Sequence, residues 1–197
     1  MAPIPYDAII ESDIRKQAGS SCFQSSGLSL SMDETTKGII ERIAIQFPKP
    51  TRIPSGQVCS IFYDCFQLTP NDLARLAAHA VGHLEHDAFD VAVGLAYSGI
   101  LFAASVAGGR KVAILQKDGR FFGPDLKGQR VVVVDDVVHT GNRVQEAAER
   151  VRSEGGDVVG FACLIDRSGG RLAAPPSSGA AGGHSVPLWF AFQTEME

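Results

Sequence analysis

The chain has 197 residues, 45% hydrophobic, 20% charged and 8% aromatic, with a formal net charge of -4. At roughly 150 residues per domain this predicts a single domain spanning 1–197, able to bury about 70% of its unfolded surface without staples. Composition excludes collagen-like, disordered and coiled-coil chains. A pI of about 5.7 gives no general attraction to nucleic acid or to an anionic membrane. The four cysteines, Cys22, Cys59, Cys65 and Cys163, form no C-x-x-C pair and read as reduced thiols of a cytosolic protein. The first residues lack the basic and apolar regions of a signal peptide, and no run approaches 18 apolar residues. A cytoplasmic protein with no membrane partner is the expectation.

In chain order, Ser31 and Glu34 are spaced as a capping box, and Ile39, Ile40, Ile43 and Phe47 recur at helical spacing. A helix is predicted over 33–46, stopped by Pro48 and Pro50. Residues 60–63 are rich in strand formers. Thr69, Pro70 and Asp72 then open a helix expected to run to about Glu85. Residues 91–95 read as a buried strand, followed by a glycine turn at Ser98 and Gly99 and a helix to about 106. Residues 111–115 make another strand, and Asp118 and Gly119 a tight hairpin turn. The valines at 131–134 form a continuous β-branched run, as in a strand buried on both faces. A helix over 143–154 and a strand over 158–165 follow. Residues 173–183 read as a flexible loop, and 186–193 as a last strand. Strands alternating with helices imply an α/β fold with a mostly parallel central sheet, right-handed crossovers and helices on both faces.

Chemistry concentrates at residues 131–143. Four valines end in Asp135 and Asp136, and a short turn (His139, Thr140, Gly141, Asn142, Arg143) opens the next helix. Ligands of open α/β sheets bind at the carboxyl ends of strands. A glycine turn leading into a helix N-terminus presents backbone N–H groups to an anion such as phosphate. Two acids at that edge would repel a phosphate unless they face sugar hydroxyls or a hydrated Mg²⁺. The combination describes a site for ribose 5-phosphate.

This segment resembles the phosphoribosyl-pyrophosphate motif of the type I phosphoribosyltransferases. Further segments are similar to the orotate phosphoribosyltransferases: Ser55 and Gly56 before the Phe62–Tyr63 aromatics, residues 94–100 like a pyrophosphate loop, and Leu164 to Arg167 before glycines. The resemblance covers roughly 50–170. It implies the type I phosphoribosyltransferase fold, with a core over 88–170 and a small hood to which 1–65 and 184–197 contribute. It also implies Mg²⁺-dependent transfer of ribose 5-phosphate from phosphoribosyl pyrophosphate to orotate, and a homodimer. Asp135 and Asp136 would hold the ribose hydroxyls, directly or through Mg²⁺ waters. His139, Thr140, Gly141, Asn142 and Arg143 would hold the 5-phosphate. Ala96, Tyr97, Ser98 and Gly99 would contact pyrophosphate, in a loop that in this family often carries a strained peptide. Arg167 would pair with the orotate carboxylate, between Phe62 and Tyr63.

The chain departs from that pattern in three places. The family's Arg-Lys pair and long loop with Lys and His are reduced to Gln116, Lys117 and a short turn, so Lys117 and Arg120 are the remaining candidate catalytic cations. Pro54 and Ser98 stand where relatives place lysines. His139 and Arg143 replace small hydroxyl residues, and His139 would add a charge that titrates near pH 6–7. Two rivals accompany this reading: the same chemistry on another base, and a non-catalytic regulator that binds the sugar phosphate or a nucleotide. His79, His83 and His86 read as a solvent-facing helix row, and residues 123–128 lack the Lys-Ser/Thr end of a P-loop.

Overall fold

Val131, Val132, Val133 and Val134 are each 0% exposed, and they lie in the middle of the larger of two sheets. The computed structural model describes residues 33–52, 58–85, 87–169 and 186–194, all within the compact unit Met32–Glu197. Residues 1–30, Pro54, Ser55, Gly56, His86 and the loop at 173–183 lie outside the described residues. In chain order the elements are α1 (Glu34–Ile43), β1 (Ala44–Arg52), β2 (Val58–Tyr63), α2 (Pro70–Val81), β3 (Val91–Leu95), α3 (Ser98–Ala107), β4 (Lys111–Leu115), β5 (Phe121–Phe122), β6 (Arg130–Val138), α4 (Asn142–Ser153), β7 (Asp157–Asp166) and β8 (Leu188–Gln193).

The main sheet has strand order β5-β4-β3-β6-β7-β8. Its pairings are parallel except for the β4–β5 hairpin. Gly119, with φ 85°, makes the turn expected of Asp118 and Gly119, closed by Gln116 N–H donating to the Arg120 carbonyl at 2.9 Å. Because side chains alternate along a strand, β6 supplies two cores. Val132 and Val134 pack with Ile43, Leu76 and Phe102 on the face covered by α1 to α3. Val131 and Val133 pack with Val144, Ala147 and Val151 of α4 on the other. At the amino end, Asp90 joins β3 to β6 with a forked ion pair to Arg130 (2.8 and 3.2 Å) and accepts its backbone N–H at 2.8 Å.

The first helix is shorter than the periodicity predicts. Asp33 caps it, accepting the Thr36 N–H at 2.8 Å, and the capping-box residue Ser31 lies outside the described residues. The helix ends at Ile43, where Ala44 turns extended (φ -78°, ψ 121°). Residues expected to complete it instead form β1, which runs through Pro48 and Pro50 and pairs antiparallel with β2. Prolines fit there because β1 has β2 as its partner in a two-stranded ribbon and exposes most of its residues. The helix opened by Thr69 has the predicted capping box and Pro70, but stops at Val81, short of Glu85. His79 is in that helix, and His83 lies beyond its end.

The last strand differs in place. Expected in the hood, β8 is instead the edge of the main sheet, parallel to β7. Gly160 of β7 makes the room, since a Cβ there would stand 2.2 Å from the Trp189 ring. The described part of the expected hood is therefore the β1–β2 ribbon.

Candidate active site

The four α-helices among the described residues begin in two ways. α1 and α2 are capped by side chains, from Asp33 and Thr69. α3 and α4, which follow the carboxyl ends of β3 and β6, have no side-chain cap. Neither N-cap residue accepts a first-turn N–H through its side chain, although Asn142 N–H reaches the Thr140 hydroxyl at 3.4 Å, and two such helix starts at one sheet edge favour anions. Gly141 makes the α4 turn at φ 83°, a conformation that costs a side chain dearly.

A cavity of about 290 Å³ opens at this edge. It is lined by Asp135 and Asp136 from β6, by His139, Thr140, Gly141 and Arg143 from the turn and α4, and by Ala96, Tyr97 and Ser98 after β3. Lys117 after β4, Arg167 after β7, and Phe62 and Tyr63 of the ribbon complete the predicted residues it contains. Asp135 is buried at 2% exposure. Burial and the Asp136 charge push its carboxyl well above the usual carboxylate range, and Arg143 pulls it back. The Ser98 hydroxyl donates to Asp136 Oδ2. The peptide between Ala96 and Tyr97 is cis, and Lys117 Nζ lies 4.8 Å above the Tyr97 ring centre.

Arg167 is 5% exposed and donates from Nη1 to the Ile61 carbonyl at 3.1 Å. Its backbone N–H donates to the Val138 carbonyl at 2.7 Å. The preceding Asp166 accepts from Ser168 N–H and the Gln193 amide. The arginine is thus positioned by four strands: it follows β7 directly, β2 holds its guanidinium, β6 holds its backbone and β8 holds its neighbour.

Five of the expected residues are placed or engaged in ways the sequence does not announce. Arg120 does not line the cavity: its guanidinium pairs with Asp118 at 2.7 Å and faces Phe122. Asn142 is exposed as the first residue of α4 and does not line the cavity. Gly99 lines nothing either, and acts by letting α3 approach β6. Arg143 lines the cavity but is engaged with Asp135 and with the Ala96 carbonyl. His139 is pushed below its ordinary value by burial and by Arg167, partly offset by Asp136, so its charge change moves toward lower pH than expected.

Cys59, Ile61, Phe66, Val137, Val138 and Val144 also line the cavity and were not singled out from sequence. Phe66 carried a usable signal, an aromatic in a short polar turn beside the Phe62–Tyr63 pair, and it is 64% exposed. The others are apolar and read as ordinary core.

Two acids side by side, one of them buried and paired with Arg143, form a donor set of hard oxygens. Such a set fits Mg²⁺, which takes one or two carboxylates and keeps several waters.

A sheet edge that brings together two helix N-termini, an acid pair and a buried arginine has the chemistry to receive an anionic ligand that also carries hydroxyl groups. The phosphoribosyl transferase domain model matches residues 121–195. The chain is 31% identical over 183 residues to an orotate phosphoribosyltransferase of Streptomyces avermitilis, covering 83% of this chain and 97% of the relative. It is 34% identical over 125 residues to that of a Nocardioides species, covering 58% and 69%. A Mycobacterium tuberculosis orotate phosphoribosyltransferase solved in complex with 5-phospho-alpha-D-ribosyl 1-diphosphate shares the fold, with a TM-score of 0.61, 21% identity, and 81% and 94% of the two chains covered. The chain belongs to the type I phosphoribosyltransferases, on the orotate phosphoribosyltransferase branch of that family. Among the described residues no helix is long and apolar enough to cross a membrane.

Proposed function

We propose that this chain transfers ribose 5-phosphate from phosphoribosyl pyrophosphate to orotate and releases pyrophosphate. It would work as a Mg²⁺-dependent cytoplasmic enzyme of pyrimidine nucleotide synthesis and, by family likeness, as a homodimer. One observation carries the reading: the acid pair, the α4 turn, the loop after β3, Lys117 and Arg167 all line one cavity.

In that arrangement the first-turn N–H groups of α4 and the Thr140 hydroxyl hold the 5-phosphate. Asp135 and Asp136 accept from the ribose hydroxyls and hold Mg²⁺ through water. The metal, when bound, offsets charge on the pyrophosphate. The loop at 96–98 and Lys117 receive pyrophosphate, and the Arg167 fork takes the carboxylate of the base between Phe62 and Tyr63. A nitrogen of the base bonds to the anomeric carbon, losing its N–H proton to solvent or to the leaving group, as the carbon–oxygen bond to pyrophosphate breaks and pyrophosphate leaves with the electron pair. Positive charge on the ribose ring peaks in the transition state, so positioning and fixed charge provide the catalysis.

The test is pyrophosphate release from phosphoribosyl pyrophosphate and Mg²⁺ with orotate, then with uracil, adenine and other bases. Turnover on orotate is expected. Turnover on another base alone would replace the acceptor. Tight binding of the sugar phosphate without turnover on any base would make the chain a regulator.

A further inference from the structure

Arg143 is the second residue of α4. Its Nη1 donates to Asp135 Oδ1 at 3.1 Å, and its Nη2 donates to the carbonyl oxygen of Ala96. The side chain of Asp135 is 2% exposed, whereas that of Arg143 is 50% exposed and borders the open cavity. From the other side, the Ser98 hydroxyl donates to Asp136. The loop after β3 is therefore joined to both acids, to Asp135 through a cation and to Asp136 through a hydroxyl. A carboxyl buried beside another acid keeps its charge more readily with positive charge close by, and Arg143 supplies that charge to Asp135.

We propose that Arg143 is the counter-ion of the acid pair in the free protein and yields that place to the hydrated divalent cation, so guanidinium and metal compete for Asp135. This rests on the reading of the acids as the metal site of the proposed transferase. The displaced guanidinium stays on the cavity wall beside the phosphate turn, where phosphoryl oxygens suit its planar fork. Metal alone must displace a bonded arginine and binds weakly. Metal arriving with the sugar phosphate offers the arginine a new partner and binds well. By linkage, the metal then strengthens sugar-phosphate binding by the same factor.

The experiment is a titration of the full chain with Mn²⁺ alone, reading free Mn²⁺ by electron paramagnetic resonance, for wild type, Arg143→Ser and Arg143→Lys. The serine variant is expected to bind Mn²⁺ about two- to fivefold more tightly than wild type, the scale of one partly exposed ion pair. Its melting temperature should rise with Mn²⁺ concentrations that leave wild type unmoved. The lysine variant, which keeps the charge, should bind Mn²⁺ as wild type does. Equal Mn²⁺ affinity in wild type and serine variant overturns the proposal. If the serine variant does not fold, Arg143→Gln, which keeps the bulk without the charge, makes the same comparison. Failure here with wild-type turnover on orotate overturns this inference alone. Tighter Mn²⁺ binding by the variant with no turnover on any base supports the inference and removes the transferase reading.

Discussion

Gly99 stands directly against Asp135: a Cβ built on the glycine would lie 3.0 Å from the Asp135 Cα and 3.1 Å from its Oδ1. The start of α3 and the acid-bearing strand touch there, backbone to backbone, which fixes the loop at 96–98 relative to the acids. Gly99→Ala should push the two apart, since two of the three nearest atoms, the Asp135 Cα and the Val134 carbonyl oxygen at 3.0 Å, belong to the backbone. The expected outcome is a loss of about 1–3 kcal/mol in stability from overpacking. A fall of tenfold or more in kcat/KM for the sugar phosphate should accompany it, because small misplacements at a reacting centre are costly. Denaturant unfolding and steady-state kinetics on the same sample check both.

Asp136 lines the cavity and receives the Ser98 hydroxyl. Asp136→Asn keeps the shape and removes the charge, so folding should be little affected. Sugar-phosphate turnover should fall by roughly two orders of magnitude, as for loss of a group that stabilises developing charge. Near-normal kinetics would contradict the assignment of the acids.

The two cations of the short hairpin should behave differently. Lys117 lines the cavity, so Lys117→Ala should lower kcat/KM about tenfold or more. Arg120 is paired with Asp118 outside it, so Arg120→Ala should change kcat/KM less than about twofold, in line with an exposed ion pair. Parallel assays of the two variants under saturating Mg²⁺ decide the point.

At the opposite end of the sheet, hydrogen bonds from the Arg130 side chain and backbone hold the Asp90 carboxyl down at about 2. The ordinary value is 3.8, so the unfolded chain takes up this proton first as pH falls. The pair therefore contributes its full stability above about pH 4 and loses it progressively toward pH 2. Urea midpoints measured from pH 5 to pH 2 should fall less steeply in Asp90→Asn than in wild type.

The valine run of β6, the uncapped turn at Gly141 and the acid pair were legible in sequence because each is a local pattern with a local cause. The buried strand needs consecutive β-branched residues, and a sharp helix entry needs glycine. The fate of residues 44–50 was not legible, because Phe47 keeps a helical rhythm while pairing with β2 decides the outcome. The address of β8 was hidden for a similar reason: it depends on Gly160 admitting Trp189 some thirty residues later in the chain. Within the site, residue types announced themselves and their engagements did not. Nothing near Arg143 in sequence reveals that its guanidinium reaches Ala96, and nothing near Arg120 reveals that it turns back to Asp118.

The bond from Arg167 to the Ile61 carbonyl gives the pocket a threshold for admission. On the proposed reading of the base site, a base taking up this Nη1 position would exchange with a neutral acceptor that the protein already supplies. A base offering only carbonyl oxygens replaces like with like and gains nothing from that position. A carboxylate gains the difference between a charged and a neutral hydrogen bond, about 1 kcal/mol or more, a preference of roughly fivefold from this one atom pair. In the proposed transferase, the backbone of the ribbon would thus take part in sorting carboxylated from neutral bases.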